Sequence, residues 1–192
     1  MPLTEEVKAA ALQAQRRLRD AWGDKVKWVE ESNMHITLKF LGQTEVGRLA
    51  QVEGILGRVA SEFDPFQVGT GGVGGFPSLE RPRVVWYGLT EGGDALAAVA
   101  DAVEQSLAEL GFEVEGRFHP HVTLGRVRRE SGGQGLGRLA DAEKEGAPDE
   151  RQGPSMRIER YVLMESILSR SGPTYRVLRE FPLGARGLSE ET

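Results

Sequence analysis

The chain has 192 residues, 39% of them hydrophobic and 28% charged, and its formal net charge is −5. This composition is typical of a folded protein with one large domain or two small packed lobes, and it excludes a chain that is disordered throughout. Cysteine is absent, so disulfides, thiolate metal sites and a cysteine nucleophile are excluded as well.

Amphipathic helices are predicted at three places, each with apolar residues at helical spacing. The first follows an N-cap at Thr4 and stops at Gly23, and the second follows an N-cap at Thr44. The third begins at Asp94 and stops at Gly111. Strand patterns occur at residues 27–30, 35–41, 65–70, 83–89, 117–127, 157–168 and 175–183. This order predicts an α+β fold in which the helices cover a sheet.

Two glycine-rich segments lead to different predictions. Gly69, Gly71 and Gly74 match the spacing G-x-G-x-x-G, but no helix pattern follows them, as a dinucleotide-binding turn requires. We therefore predict a turn between two strands at this point. Residues 129–155 are rich in glycine and charge, and they predict a flexible surface excursion.

Histidine is rare in the chain, yet two of the three histidines open similar tetrapeptides. His35 begins H-I-T-L and His121 begins H-V-T-L. Alternate side chains of a strand share one face, so His35 and Thr37 should project together, as should His121 and Thr123. The intervening apolar residues then face the core. Each motif is predicted to present an imidazole beside a hydroxyl.

The same alternation gives expectations for two neighbouring residues. Phe40 should face the core, and Arg126 should lie on the core side of its strand unless Gly125 introduces a bulge that turns it back. The negative net charge gives no general attraction to nucleic acid, so a polyanionic ligand requires a local basic cluster. Basic residues do gather near the two motifs: Lys39, Arg117, Arg126, Arg128 and Arg129.

Two imidazoles on facing strands suit acid and base catalysis, because an unperturbed histidine titrates near about 6.5. At a phosphate, one histidine can deprotonate an attacking water while the other protonates the departing alkoxide. A threonine hydroxyl can donate to an anionic oxygen held between them. Nothing in this scheme requires a metal. A metal site is an alternative, since His119 and His121 form an H-x-H pair, but the sequence marks no further ligand for it.

The two motifs and their surroundings resemble the 2H phosphoesterases, specifically the bacterial and archaeal RNA 2′,3′-cyclic phosphodiesterases, also called 2′-5′ RNA ligases. That family is named for two His-x-Thr-x motifs. Also similar are K-F-L-G after the first motif, G-G-F-P and R-P-R-V-V-W-Y-G-L in the middle, and G-R-V after the second. The closing segment V-L-M-E-S-I-L-S-R-S-G-P-T-Y-R-V-L-R-E-F-P-L is similar too, so the likeness runs from residue 2 to residue 183.

For the fold, this resemblance implies a single domain over residues 1–192 with a bilobal α+β architecture. Two pseudo-symmetric lobes of antiparallel sheet and helices would surround a central cleft, and each lobe would give one motif. Members of the family usually open with a short apolar strand before the first helix. No such strand is recognised ahead of Thr4, so we expect it to be missing.

For the activity, the resemblance implies hydrolysis of RNA 2′,3′-cyclic phosphate ends to 2′-phosphates, without a metal or nucleotide cofactor. If the roles known for the family apply to the matching residues here, His35 would protonate the leaving 3′ oxygen and His121 would activate water. Thr37 and Thr123 would hold phosphate oxygens, with Arg126 as a further phosphate contact. The residue pattern alone does not indicate which histidine is the acid and which is the base. Run backwards on an RNA 5′-hydroxyl end, the same chemistry would join a 2′-5′ linkage.

The remaining expectations concern partners and location. The expected ligands are RNA ends or nucleoside 2′,3′-cyclic phosphates, bound by a monomer. No apolar run approaches the about 18 residues of a membrane span, and no secretory signal is recognised, so we expect no membrane association and a cytoplasmic location. Two other functions stay open: a non-catalytic module that binds RNA ends, and a metal-dependent hydrolase.

Overall fold

A computed structural model describes residues 1–78, 81–114, 116–128, 152–168 and 172–185. In chain order its helices are α1 (Glu5–Trp22), α2 (Leu49–Ser61) and α3 (Gly93–Ala108). Its strands are β1 (Val26–Trp28), β2 (Phe66–Phe76), β3 (Val84–Glu91), β4 (Val122–Val127), β5 (Ser155–Ile158), β6 (Arg160–Leu168) and β7 (Pro173–Pro182). The predicted α+β class is confirmed. Most of the predicted excursion at residues 129–155 lies outside the described residues, and its last residue, Ser155, begins β5.

Two antiparallel sheets carry these strands. One has five strands in the order β1-β4-β3-β2-β5, and the other is a two-stranded ribbon of β6 and β7. Helix α1 packs on β1 and β4, while α2 packs on α3 and the ribbon. The core between the layers is apolar, with Val7 of α1, Val85 of β3 and Leu96 of α3 fully buried. Burial of these faces is the main force that holds the helices on the sheet.

The helix ends test the capping predictions. The N-cap at Thr4 is confirmed, because its side chain accepts a hydrogen bond from the backbone N–H of Val7 at 3.4 Å. The stop at Gly23 is confirmed too, and this glycine adopts a φ of 53°. The N-cap at Thr44 is wrong: a 3₁₀ turn at Val46–Arg48 precedes α2, and the Thr44 hydroxyl donates to the Leu41 carbonyl instead.

The glycine-rich segment is a strand rather than the predicted turn. Gly69, Gly71 and Gly74 all lie within β2, whose pairing with β3 shifts register between Gly69 and Val73. Gly71 and Gly72 have positive φ, which lets the strand accommodate this bulge without leaving the sheet. A Cβ on Gly74 would lie 2.1 Å from the Trp86 ring, so close packing explains that glycine.

The first histidine motif is not the strand predicted at residues 35–41. Only Ile36 pairs, in an isolated antiparallel bridge with Val122 of β4. On its other side, Ile36 donates its N–H to the Met1 carbonyl and accepts a hydrogen bond from the Met1 amino group at 2.5 Å. Ile36 is therefore held between two chain segments and is fully buried. Beyond Ile36 the chain turns away from the sheet, so the ladder does not continue.

A buried glutamine contacts β4 between the residues that pair with β1 and the residue that pairs with Ile36. The Gln15 amide, on α1, donates to the Val29 carbonyl at 2.8 Å and to the Leu124 carbonyl at 2.9 Å. The side chain is only 6% exposed, so these bonds replace hydrogen bonds to water. Gln15 thus ties α1 to Leu124 of β4 and to Val29, the residue that follows β1.

We expect Gln15→Leu to lower the free energy of unfolding by about 1–3 kcal/mol, because the partly buried Val29 carbonyl loses the Gln15 donor and the Leu124 carbonyl keeps only the Val29 N–H. Urea unfolding measures the change as a lower midpoint at constant slope. Gln13→Leu is the matched control, since Gln13 lies exposed on the same helix. Equal midpoints for the two variants would contradict a structural role for Gln15.

None of the described helices is long and apolar enough to cross a membrane.

Candidate active site

The two motifs cross at a single pair of residues. Because Ile36 and Val122 are antiparallel partners, the next positions place Thr37 opposite His121 and His35 opposite Thr123. Ile36 and Val122 are both fully buried, so the four polar side chains project from the other face. Antiparallel pairing has a local twofold axis, which here relates H-I-T to H-V-T.

This crossing fixes the spacing of the two imidazoles. His35 and His121 are diagonal neighbours of the antiparallel pair, and such neighbours typically lie about 7–8 Å apart, with their Cβ atoms somewhat closer. Each histidine has the other motif's threonine directly opposite, at about 4.5–5.5 Å between Cβ atoms. A tetrahedral anion between the histidines can therefore reach both rings and both hydroxyls.

Each imidazole is oriented by a backbone carbonyl two residues before it. Nδ1 of His35 lies 2.8 Å from the Asn33 oxygen, and Nδ1 of His121 lies 2.7 Å from the His119 oxygen. A carbonyl can only accept, so Nδ1 carries a proton in both rings. Nε2 is then the nitrogen that gains or loses a proton, and it is the one available to a ligand.

Burial lowers the pKa of both histidines below the ordinary value of 6.5, because the charged imidazolium loses hydration. The carbonyl contacts oppose this effect, since they favour the protonated ring. The positive charge of Arg126 lowers the pKa of His121 further. Both rings are therefore poised to be neutral near neutral pH, until an anion nearby favours protonation.

A bulge in β4 brings Arg126 to the same cleft. Gly125 pairs with Val85 of β3, but Thr123 pairs with the next residue, Trp86, so one extra residue of β4 is accommodated between them. Arg126 is exposed and lines the cleft together with Thr123. The alternative that a bulge at Gly125 turns Arg126 back is thus confirmed. A Cβ on Gly125 would lie 2.5 Å from the Val26 side chain, which explains the glycine.

The cleft has two arms that meet at Thr37. The His35 arm, of about 600 Å³, runs from His35 and Thr123 past Arg126 and the edge strand β1. The His121 arm, of about 450 Å³, runs past His121 and three phenylalanine rings, those of Phe40, Phe76 and Phe118. Apart from the histidines, the His35 arm has more basic than aromatic side chains, the aromatic ones being Trp28 and Tyr175. The His121 arm has more aromatic than basic side chains, the basic ones being Lys39 and Arg117.

The core position predicted for Phe40 is wrong. Phe40 is 65% exposed, while the side chain of the preceding Lys39 is 4% exposed. Lys39 Nζ forms an ion pair with Glu104 of α3 at 3.1 Å and donates to the Glu113 carbonyl at 2.6 Å. The strand pairing does not continue beyond the positions that flank the Ile36–Val122 bridge, so the ion pair rather than the pleat sets the direction of the Lys39 and Phe40 side chains.

The sequence profile of the family described as LigT like phosphoesterase matches residues 1–86 and 89–175. The chain belongs to the LigT-like phosphoesterase family. Its relatives include the RNA 2′,3′-cyclic phosphodiesterase of Aeropyrum pernix, 37% identical over 175 residues that make up 89% of this chain and 96% of the relative. The enzyme of that name from Archaeoglobus fulgidus is 40% identical over 156 residues, 81% of this chain and 83% of the relative.

Solved structures agree with this membership of the LigT-like family. Thermus thermophilus TT0787 superposes with a TM-score of 0.75, at 27% identity and with 96% of both chains covered. Escherichia coli LigT complexed with 3′-AMP superposes with a TM-score of 0.71, at 22% identity, covering 95% of this chain and 94% of that one. At the latter identity the likeness shows the fold alone.

In this LigT-like chain, each motif histidine also packs against an aromatic ring. Tyr175 of β7 meets His35 edge-on, with ring centroids 4.8 Å apart, and Phe76 of β2 meets His121 in the same manner at 5.0 Å. The Asn33 side chain donates to the Pro173 carbonyl, which fixes the end of the ribbon beside His35. Phe76 belongs to the G-G-F-P segment that the sequence analysis identifies as similar to the family. Nothing in the sequence indicates that Tyr175 contacts His35, which is distant from it along the chain.

The remaining histidine, His119, has a different place in the site. His119 is exposed; its backbone carbonyl orients His121, and its ring lines the His121 arm, with its centroid 5.8 Å from that of the Phe76 ring. Across the described residues, no three His, Cys, Asp or Glu side chains group together in a way that could hold a metal ion. The H-x-H pair therefore gains no third ligand from this part of the chain.

Proposed function

We propose that this chain is an RNA 2′,3′-cyclic phosphodiesterase that hydrolyses cyclic phosphate ends to 2′-phosphates without a metal. One observation carries the proposal. The antiparallel crossing at Ile36 and Val122 sets two imidazoles on one polar face, each with Nδ1 bound to a carbonyl. Relatives at 37% and 40% identity bear the name RNA 2′,3′-cyclic phosphodiesterase, which supports the same activity.

The proposed reaction uses the two Nε2 atoms in opposite roles. Neutral His121 accepts a proton from water, and the water oxygen attacks phosphorus. Protonated His35 donates its proton to the 3′ oxygen as the P–O3′ bond breaks, which yields a 2′-phosphate and a free 3′-hydroxyl. Thr37 and Thr123 donate hydrogen bonds to the non-bridging oxygens, and Arg126 offsets their charge.

The substrates that fit this scheme are RNA 2′,3′-cyclic ends and nucleoside 2′,3′-cyclic phosphates. The reverse reaction uses the same groups. An RNA 5′-hydroxyl would attack the cyclic phosphate in place of water, and a 2′-5′ linkage would form. Water at its bulk concentration favours hydrolysis, so ligation requires a bound 5′ end.

The deciding experiment incubates the purified protein with a short RNA that ends in a 2′,3′-cyclic phosphate, in excess chelator. We expect a 2′-phosphate as the product, identified by chromatography against 2′- and 3′-phosphate standards. Binding without turnover would instead indicate a module that only recognises RNA ends. Turnover that is lost in chelator and restored by divalent ions would indicate a metal-dependent hydrolase.

A further inference from the structure

Three basic side chains form a row along the edge of the five-stranded sheet. Lys27 of β1 is the cross-strand partner of Arg126 on β4, so the two side chains lie on the same face. Arg128 comes two residues after Arg126, and its backbone N–H donates to the Lys25 carbonyl at 2.9 Å, which keeps the chain extended there. Lys27, Arg126 and Arg128, here called the basic row, all line the His35 arm of the cleft.

The cross-strand pair of Lys27 and Arg126 places two positive charges opposite each other, which lowers the stability of the protein without a ligand. Like charges directly opposite each other on neighbouring strands destabilise a sheet. All three side chains are exposed, and none has an ion pair with another of the described residues. The carboxylates that line this arm, Asp24 and Glu30, lie just before and just after β1. In a chain with a net charge of −5, such a concentration of positive charge indicates an anionic ligand.

We infer that Lys27 and Arg128 of the basic row bind the sugar-phosphate backbone of single-stranded RNA on the 5′ side of its cyclic phosphate end, next to Arg126 at the terminal phosphate. This inference rests on the proposed function, which places the terminal phosphate between His35, His121 and Arg126. The chain of the substrate must leave the site along one of the two arms. The His35 arm continues from Arg126 directly to Lys27 and Arg128, beside Trp28 and Tyr175. The His121 arm has Arg117 and the ion-paired Lys39 beside three phenylalanine side chains that suit a base.

The basic row therefore distinguishes a polynucleotide from a mononucleotide. A nucleoside 2′,3′-cyclic phosphate has no 5′ phosphodiester and cannot contact Lys27 or Arg128. An oligonucleotide gains one charge-assisted contact for each phosphate that lies on the row. Lys27 and Arg128 should lower the KM for RNA without changing the chemical step on the terminal phosphate.

The test is the double charge reversal Lys27→Glu/Arg128→Glu. For a cyclic-phosphate RNA of about eight nucleotides, we expect KM to rise about tenfold or more, because two attractive interactions with phosphates become repulsive. For the mononucleotide cyclic phosphate, kcat/KM should stay within about twofold, since no phosphate reaches the row. The matched control is Arg16→Glu/Arg58→Glu, which changes the net charge equally at exposed helix positions outside both arms.

Binding tests the row separately from turnover. Fluorescence anisotropy with a 5′-labelled RNA that ends in a 2′-phosphate should show a shallower salt dependence for the double variant. The slope of log Kd against log salt should fall by about 0.7 for each phosphate that the variant no longer neutralises. The control pair should keep the wild-type slope.

The outcomes separate this inference from the proposed function. If wild type hydrolyses neither substrate, the proposed function fails, and the salt slope alone decides whether the row binds RNA. If the double variant behaves like the control pair on RNA, the inference is overturned. It is overturned equally if the mononucleotide and the RNA lose activity in parallel, because Lys27 and Arg128 then act on the reaction centre rather than on the backbone.

Discussion

With His35 or His121 replaced by alanine, we expect kcat for hydrolysis of a 2′,3′-cyclic phosphate to fall by about 10²–10⁴-fold, the usual contribution of a general acid or base. Each ring is held by one backbone carbonyl and one aromatic edge, so its loss removes a positioned proton carrier. KM should change much less, because the threonine hydroxyls and Arg126 still face the phosphate. Single-turnover assays measure the chemical step directly.

The control for this prediction is His119→Ala. Alanine retains the His119 backbone carbonyl that orients His121, and the exposed His119 ring has no proton-transfer role in the proposed reaction, so the kcat of this variant should stay close to wild type. The double variant His35→Ala/His121→Ala should lose little more than the worse single variant, because groups that act as a unit are not additive. Hydrolysis at the wild-type rate by either single variant would falsify the two-histidine mechanism. Thermal melts show whether a lost activity reflects lost structure.

The local pairing explains how much of the site could be read from the sequence. The histidines and threonines were predictable because H-x-T places both polar residues on one side of an extended segment, whatever that segment pairs with. The local backbone structure of the first motif was not predictable. Ile36 pairs with Val122 alone, and the tertiary contacts of Lys39 set the direction of the side chains that follow. The prediction for Phe40 failed for that reason, since alternation holds only while the ladder continues.

Long-range contacts account for the other parts that the sequence did not reveal. Tyr175 reaches His35 only because Asn33 fixes the end of the β6–β7 ribbon. Gln15 looks like any helical glutamine until the fold places two backbone carbonyls beside it. In contrast, the bulge at Gly125 was open to prediction, because a glycine within a strand favours one. Helix caps are local and were predicted well where the turn was regular, as at Thr4 but not at Thr44.

The substitution Arg126→Ala is the second prediction with a large effect, and it also tests which histidine is the acid and which is the base. We expect kcat/KM to fall by about 10²-fold, the usual cost of removing one donor to a developing charge. Arg126→Lys should recover part of this loss, because it keeps the charge but not the planar fork of donors. The pH profile of the Arg126→Ala variant shows which role His121 has, since Arg126 also lowers the pKa of His121.

The sign of the pH shift distinguishes the two roles. A base must be neutral and an acid must be protonated, so when the base has the lower pKa of the pair, its pKa sets the acidic limb of kcat/KM and the pKa of the acid sets the alkaline limb. Removal of the Arg126 charge raises the pKa of His121. If His121 is the base, the acidic limb moves to higher pH while the alkaline limb, set by His35, stays in place. Movement of the alkaline limb alone would reverse the assignment and make His121 the acid.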